Sequence, residues 1–250
     1  MPIRKSAFFA ALVLGCVLPF AVQGAETPHW VNYKLLNHTT PLPKKLVVLP
    51  INVKVLEVTA GGVTEPVPEW TAEARKNIEK SLTAAIKKNA TLSEIKMPHL
   101  SRRDTALVDE HVALYNLVTN TASQITWEHK IRRFDYSIGP GLAKLRRGTG
   151  ADAAVIVYAR DYASTTGRKA KAILGRIPII NIFTGAAPQL GHSFVHIGII
   201  DLKTGDLLWM NSEYRDGASN LRDYSDARDI IHAIFAWYPG IERYRAAYIN

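Results

Sequence analysis

Apolar and polar positions divide this chain into blocks of two kinds. Strand-length blocks occur at residues 46–51 and 153–162, the second unbroken in its apolar character from Ala153 to Ala159, and alternation occurs at 193–200, where Val195, Ile197 and Ile199 fall on one side. The run Ala153-Ala154-Val155-Ile156-Val157-Tyr158-Ala159 is apolar on both faces, which predicts a central position in a sheet. Pro50 must lie near the end of the first strand or on a bulge, because it cannot donate to a ladder. Lys203-Thr204-Gly205-Asp206 turns the third strand back into Leu207-Leu208-Trp209-Met210, with glycine placed for a positive φ. Residues 92–97 are a weaker strand candidate.

Helical spacing marks the other blocks. Ala74, Ile78, Leu82 and Ile86 fall four apart, with Arg75, Lys76, Glu79 and Lys80 facing water; Thr71 is the expected cap and Asn89 the expected end. Asp104 is the expected N-cap of a long helix through Leu107, Leu114, Val118 and Ile125. Pro140 and Gly141 open a short helix through Leu142 and Leu145, stopped by Gly148 and Gly150. Ser225 is the expected cap of a last helix presenting Ala227, Ile230, Ile231, Ile234 and Phe235 on one face, with Asp226 and Asp229 near its positive end and Pro239-Gly240 beyond it. Residues 25–44 show no periodicity and read as an extended lead-in; Gly61, Gly62, Pro66 and Pro68 mark a loop. The predicted class is α/β or α+β, a mixed sheet with helices packed on it. The division is 1–24 leader, 25–44 lead-in and 45–250 one domain, interrupted by an insertion at 165–191.

The leader bears most on function. Arg4 and Lys5 precede an apolar run from Ala7 to Val22, and small residues follow at Gly24 and Ala25. This is the pattern of a secretory signal peptide cleaved after Gly24, which predicts a periplasmic protein. Cys16, the only cysteine, offers an alternative, since Gly15-Cys16 after an apolar run is how lipoprotein leaders end; the chain would then be an outer-membrane lipoprotein anchored at Cys16. Val17, Leu18, Pro19 and Phe20 prolong the apolar run past the cysteine, and this favours cleavage after Gly24. A mature chain starting at Ala25 has no cysteine, so its stability rests on its core.

Composition is that of an ordinary folded protein, 47% hydrophobic and 21% charged. The net charge is +9, of which Arg4 and Lys5 supply two. Outside the cytoplasm such a balance points to anionic lipid surfaces or acidic partners rather than to nucleic acid.

Motifs with catalytic associations fail on their context. Gly191-His192-Ser193 lacks the glycine two residues after the serine that a nucleophile elbow needs; Val195 stands there, inside a strand. Gly148-Thr149-Gly150 follows a helix and opens a strand, the reverse of a dinucleotide-binding turn. His192 and His196 are about 13 Å apart along a strand, too far for one metal ion. His111 shares an apolar helix stripe and reads as a core residue. Asp104, Asp109, Glu110, Glu128 and Asp135 are carboxylates without a pairing that spacing alone can demonstrate. No catalytic, cofactor or metal residue is predicted.

Gly150-Ala151-Asp152-Ala153 leading into a central strand, followed by Asp201-Leu202-Lys203-Thr204-Gly205-Asp206-Leu207-Leu208-Trp209, resembles the curli-secretion-channel and TolB-amino-terminal-like group of bacterial envelope lipoproteins. The resemblance implies structural roles for Gly150, Ala151, Asp152, Asp201, Thr204, Gly205 and Trp209. It also implies an exported, non-enzymatic assembly, secretion-accessory or scaffold protein without cofactors. An exported hydrolase with an unrecognised site, and a periplasmic binding protein for an anionic envelope component, are the alternatives. The curli channel carries barrel-forming hairpins at two insertion points. The first point here, 165–191, lacks the alternation a membrane strand requires, and no pore is predicted.

The insertion combines a basic stem (Arg168, Lys169, Lys171) with an apolar tip (Ile179, Ile180, Ile182, Phe183), and these are the predicted contacts to an envelope protein or anionic lipid surface. Ile180→Asp and Phe183→Asp are expected to keep the parent's melting temperature while losing membrane or partner association. Losing several degrees of stability instead would make the segment core.

Overall fold

The computed structural model describes residues 29–59, 62–129, 133–164, 191–217, 219–236 and 238. In chain order these form β1 (His29–Asn32), α1 (Tyr33–Leu36), β2 (Lys45–Val48), β3 (Asn52–Val58), β4 (Thr64–Pro66), α2 (Pro68–Lys88), β5 (Ser93–Ile95), α3 (Arg102–His129), β6 (Arg133–Phe134), α4 (Ala143–Thr149), β7 (Ala153–Ser164), β8 (Gly191–Asp201), β9 (Leu207–Asp216) and α5 (Tyr224–Phe235). The described strands make one mixed sheet in the order β4-β3-β7-β8-β9-β1-β6, with β2 beside the start of β7 and β5 outside β2. The leader with Cys16, and Arg168, Lys169, Lys171, Ile179, Ile180, Ile182 and Phe183 of the insertion, lie outside the described residues, as do Pro239 and Gly240.

β7 is central because both of its faces are apolar. Val155, Val157 and Ala159 join one core layer, and Ala154 and Ile156 join the other. β2 and β3 both run parallel to β7, while β8 pairs with it antiparallel over its whole length. From Val48 to Asn52 the chain advances one residue more than β7 does from Val155 to Tyr158, so β2 and β3 are one strand interrupted by a bulge that contains Pro50. The lead-in is not merely extended: Trp30 and Val31 are buried, and β1 pairs with β9. A four-residue strand leaves too short a pattern to detect from sequence.

α2 and α5 cover the first face. Ala74, Ile78, Leu82 and Ile86 are buried as their spacing predicts, and so are Ala227, Ile230, Ile231, Ile234 and Phe235. The predicted caps need correction in three places. α2 starts at Pro68, whose missing N–H costs nothing in a first turn, and Thr71 instead accepts a hydrogen bond from the Val55 N–H at 3.0 Å. α3 is capped by Ser101, whose Oγ accepts from the Asp104 N–H and donates to the Asp104 carboxylate. α5 is capped by Asp223, which accepts from the N–H groups of Ser225 and Asp226.

α3 covers the second face, and the stripe expected of it is met in part: Val118 packs against the core and Leu107 is half-buried, while the Ile125 side chain lies outside those described. Val108, His111, Val112, Tyr115 and Thr119 are buried, whereas Leu114 and Leu117 are exposed. Two rings seat the helix. His111 lies against Gly141 and the Tyr115 ring lies over Gly198, at positions where a Cβ would collide with the ring. His111 is therefore a core residue, its Nδ1 2.8 Å from the Leu107 carbonyl oxygen.

Gly198→Ala is expected to destabilise the protein by about 1–3 kcal/mol, because the added methyl displaces a fully buried tyrosine. Gly148→Ala, in α4 where nothing lies near the added methyl, is expected to be neutral or to gain up to about 1 kcal/mol. Urea denaturation midpoints of the two variants check the contrast.

Candidate functional site: a groove at an open sheet edge

The bulge opens the outer edge of the sheet. β5 pairs with residues 45–47 and β4 with residues 56–58, while the Val67 N–H donates to the Val55 carbonyl. Between them, from Val48 to Lys54, no described strand pairs with the outer edge. A cavity of about 920 Å³ lies against Val48, Leu49, Pro50 and Ile51, between α2 and the segment that carries β5. Leu82, Ile86, Leu92, Ile95 and Met97 supply its apolar walls; Glu79, Lys87, Glu94 and Lys96 bring charge of both signs to it. A smaller cavity of about 430 Å³ shares Asn89 and Ala90 with the first and is closed by Phe235 and Ala236 of α5. Backbone edge, apolar walls and charges of both signs suit the side chains of an extended polypeptide.

The residues with catalytic associations are used elsewhere. Ser193 donates to the Asp161 carboxylate at 2.9 Å, and the Leu221 N–H donates to its other oxygen at 3.0 Å. Asp161 thereby fastens the loop before α5, which Asn77 also holds by donating to the Leu221 and Arg222 carbonyls. Burial raises the Asp161 pKa from its ordinary value, opposed by these hydrogen bonds. Burial likewise raises that of Glu213, opposed by Arg215 at 2.7 Å. His192 stacks on Tyr162 with ring centroids 4.4 Å apart and lies 5.4 Å from Tyr214, while His196 is buried under Tyr115. Asp104 pairs with Lys144 and Asp135 with Lys34, and the Glu128 side chain lies outside those described. Among the described residues no group of three His, Cys, Asp or Glu side chains could hold a metal ion.

The motif residues hold turns. Gly150 caps α4 in the left-handed region at φ 71°. Ala151 is buried, and the Asp152 carboxylate accepts from the Lys44 and Lys45 N–H groups, tying the loop to β2. Asp201 accepts from the Lys203 and Thr204 N–H groups, and Thr204 Oγ1 accepts from the Asp206 N–H. Gly205, at φ 76°, lies so close to the Gly139 backbone that no side chain fits. Trp209 is fully buried, edge-on to Tyr238 at 5.3 Å.

No family model matches the chain, and no curated protein matches it. Among solved structures, the PelC dodecamer from Paraburkholderia phytofirmans is similar at 12% identity and TM-score 0.34, over 76% of this chain and 81% of that one. Lipoprotein GNA1162 from Neisseria meningitidis is similar at 18% identity and TM-score 0.30, over 71% of this chain and 84% of that one. At these scores the likenesses carry nothing about function.

The groove was not anticipated from the sequence. Its one signal is Pro50 inside an apolar strand run, which is also what breaks the edge. The Asp161 contacts carry a prediction. Asp161→Ala, which strips the Leu221 N–H of its acceptor, is expected to cost about 1–3 kcal/mol, and Asp161→Asn, which retains an acceptor oxygen, less. Equal losses in thermal melts would mean that the carboxylate does not hold the loop.

Proposed function

We propose that this chain is an exported, non-enzymatic protein of the bacterial cell envelope, acting as an assembly or secretion-accessory factor by holding a partner protein in the edge groove. The leader and the resemblance of the Gly150–Asp152 and Asp201–Trp209 motifs to envelope proteins support the location. The observation that carries the mode of action is the groove itself. At about 920 Å³ it joins apolar walls to a stretch of strand edge with no described pairing partner. Proteins that act by holding others commonly offer such an edge, because main-chain hydrogen bonds give affinity while wall pockets select side chains.

The test is site-specific photo-crosslinking in the intact envelope, with the probe at Met97 in the groove or at Lys76 on the outer face of α2. A discrete adduct from Met97, lost on Leu92→Asp and absent from Lys76, is the expected result. Identical adducts from both positions, or a chain retained in the cytoplasm, would defeat the reading. Globomycin treatment of the same cells separates cleavage after Gly24 from lipidation at Cys16.

A further inference from the structure

α3 is held over the second face of the sheet by contacts that leave two buried polar groups without protein partners. The Tyr115 ring lies 5.6 Å from that of His196, and neither Tyr115 Oη nor His196 Nε2 has a hydrogen-bond partner among the described residues. We propose that α3 is an acid-released cover: His196 must be neutral for the helix to sit, and its protonation lifts α3 from the sheet.

Among the described residues, the surroundings of His196 offer nothing to balance a positive charge. From α3 it faces Tyr115. On its own strand it neighbours Phe194, stacked at 6.4 Å, and Gly198. Its register partners are Tyr158 on β7 and Ser212 on β9. The Arg160 guanidinium lies 3.9 Å over the Tyr158 ring and brings no negative charge to the set. Asp161 and Glu213 pair in register with Ser193 and Val195, on the opposite face. Among the described residues no carboxylate meets the ring. Burial accordingly drives the His196 pKa from 6.5 down to about 4.

The sign follows. With α3 seated, His196 resists a proton that it accepts freely once the ring is exposed. The stability it allows is complete above pH 6.5 and is lost as pH falls toward 4. Between pH 7.5 and pH 5 the opening equilibrium of α3 should rise about 30-fold. The other face responds in the opposite sense. Asp161 has a raised pKa, so its contribution is complete below 3.8 and is lost as pH rises through its folded value. Between pH 7.5 and pH 5, a range above the lowered pKa of the Asp223 cap, acid therefore loosens the α3 layer without loosening the face held by α2 and α5. Opening uncovers the part of the second core layer that Val108, Val112 and Tyr115 cover, an apolar surface available only in acid.

Hydrogen exchange of the full chain at pH 7.5 and pH 5.0, corrected for intrinsic rates, tests this. Peptides from residues 102–121 should lose protection about 30-fold while those from α2 and α5 keep theirs, and His196→Phe should abolish the difference. Tyr115→Phe, which leaves the titrating ring in place, should retain it. If His196→Phe does not fold, the ring resonances of His196 in the parent protein decide: a midpoint near 4 is expected, and one near 6.5 overturns the proposal. Uniform loss of protection across all three helices would also overturn it, as would a response removed by His111→Gln and not by His196→Phe.

Discussion

The rest of the fold depends on one constraint, that β7 cannot show either face to water. Ala153, Val155, Val157 and Ala159 on one side, and Ala154 and Ile156 on the other, are all fully buried. At roughly 25 cal/mol per Å² of apolar surface, exposing either side would consume much of a domain's stability. Two helical layers are therefore obligatory. The strands flanking β7 inherit the same demand, which is why β8 is apolar on both sides near Ile199 and Ile200.

The two layers meet that demand differently. α2 and α5 interlock through aliphatic side chains, and the Asp161, Asn77 and Asp223 hydrogen bonds lock the approach to α5. α3 contributes fewer aliphatic anchors and sits by placing two rings over glycines. Close packing of aliphatic groups is insensitive to pH, whereas a layer seated on an imidazole is not. The fold thus has a permanent face and a conditional one.

Strong periodic signals were legible and weak ones were not. The central strand, the Gly205 hairpin and the apolar faces of α2 and α5 follow from long patterns that only one arrangement can bury. The caps slipped by two or three residues because Ser101 and Asp104, or Asp223 and Ser225, are neighbours of equal capping ability, and backbone geometry chooses between them. The outward Leu114 reflects a different limit. Val108, Val112 and Tyr115 add a second apolar row beside His111 and Val118 on α3, and the inward face is centred on the rings that meet Gly141 and Gly198. The motif residues from Gly150 to Trp209 lie in turns or in the core. The groove arises from a gap between two short strands, which no local pattern encodes.

The bulge at Pro50 also has a colloidal consequence. A long, flat, unpaired edge invites identical chains to zip together and keep growing. Here the free stretch is bounded by β5 and β4 and interrupted by a residue without an N–H. It is long enough to recruit one extended segment and too short to propagate a ladder. A crowded compartment lacking ATP-driven refolding would tolerate such an edge, where an uninterrupted one would seed fibres.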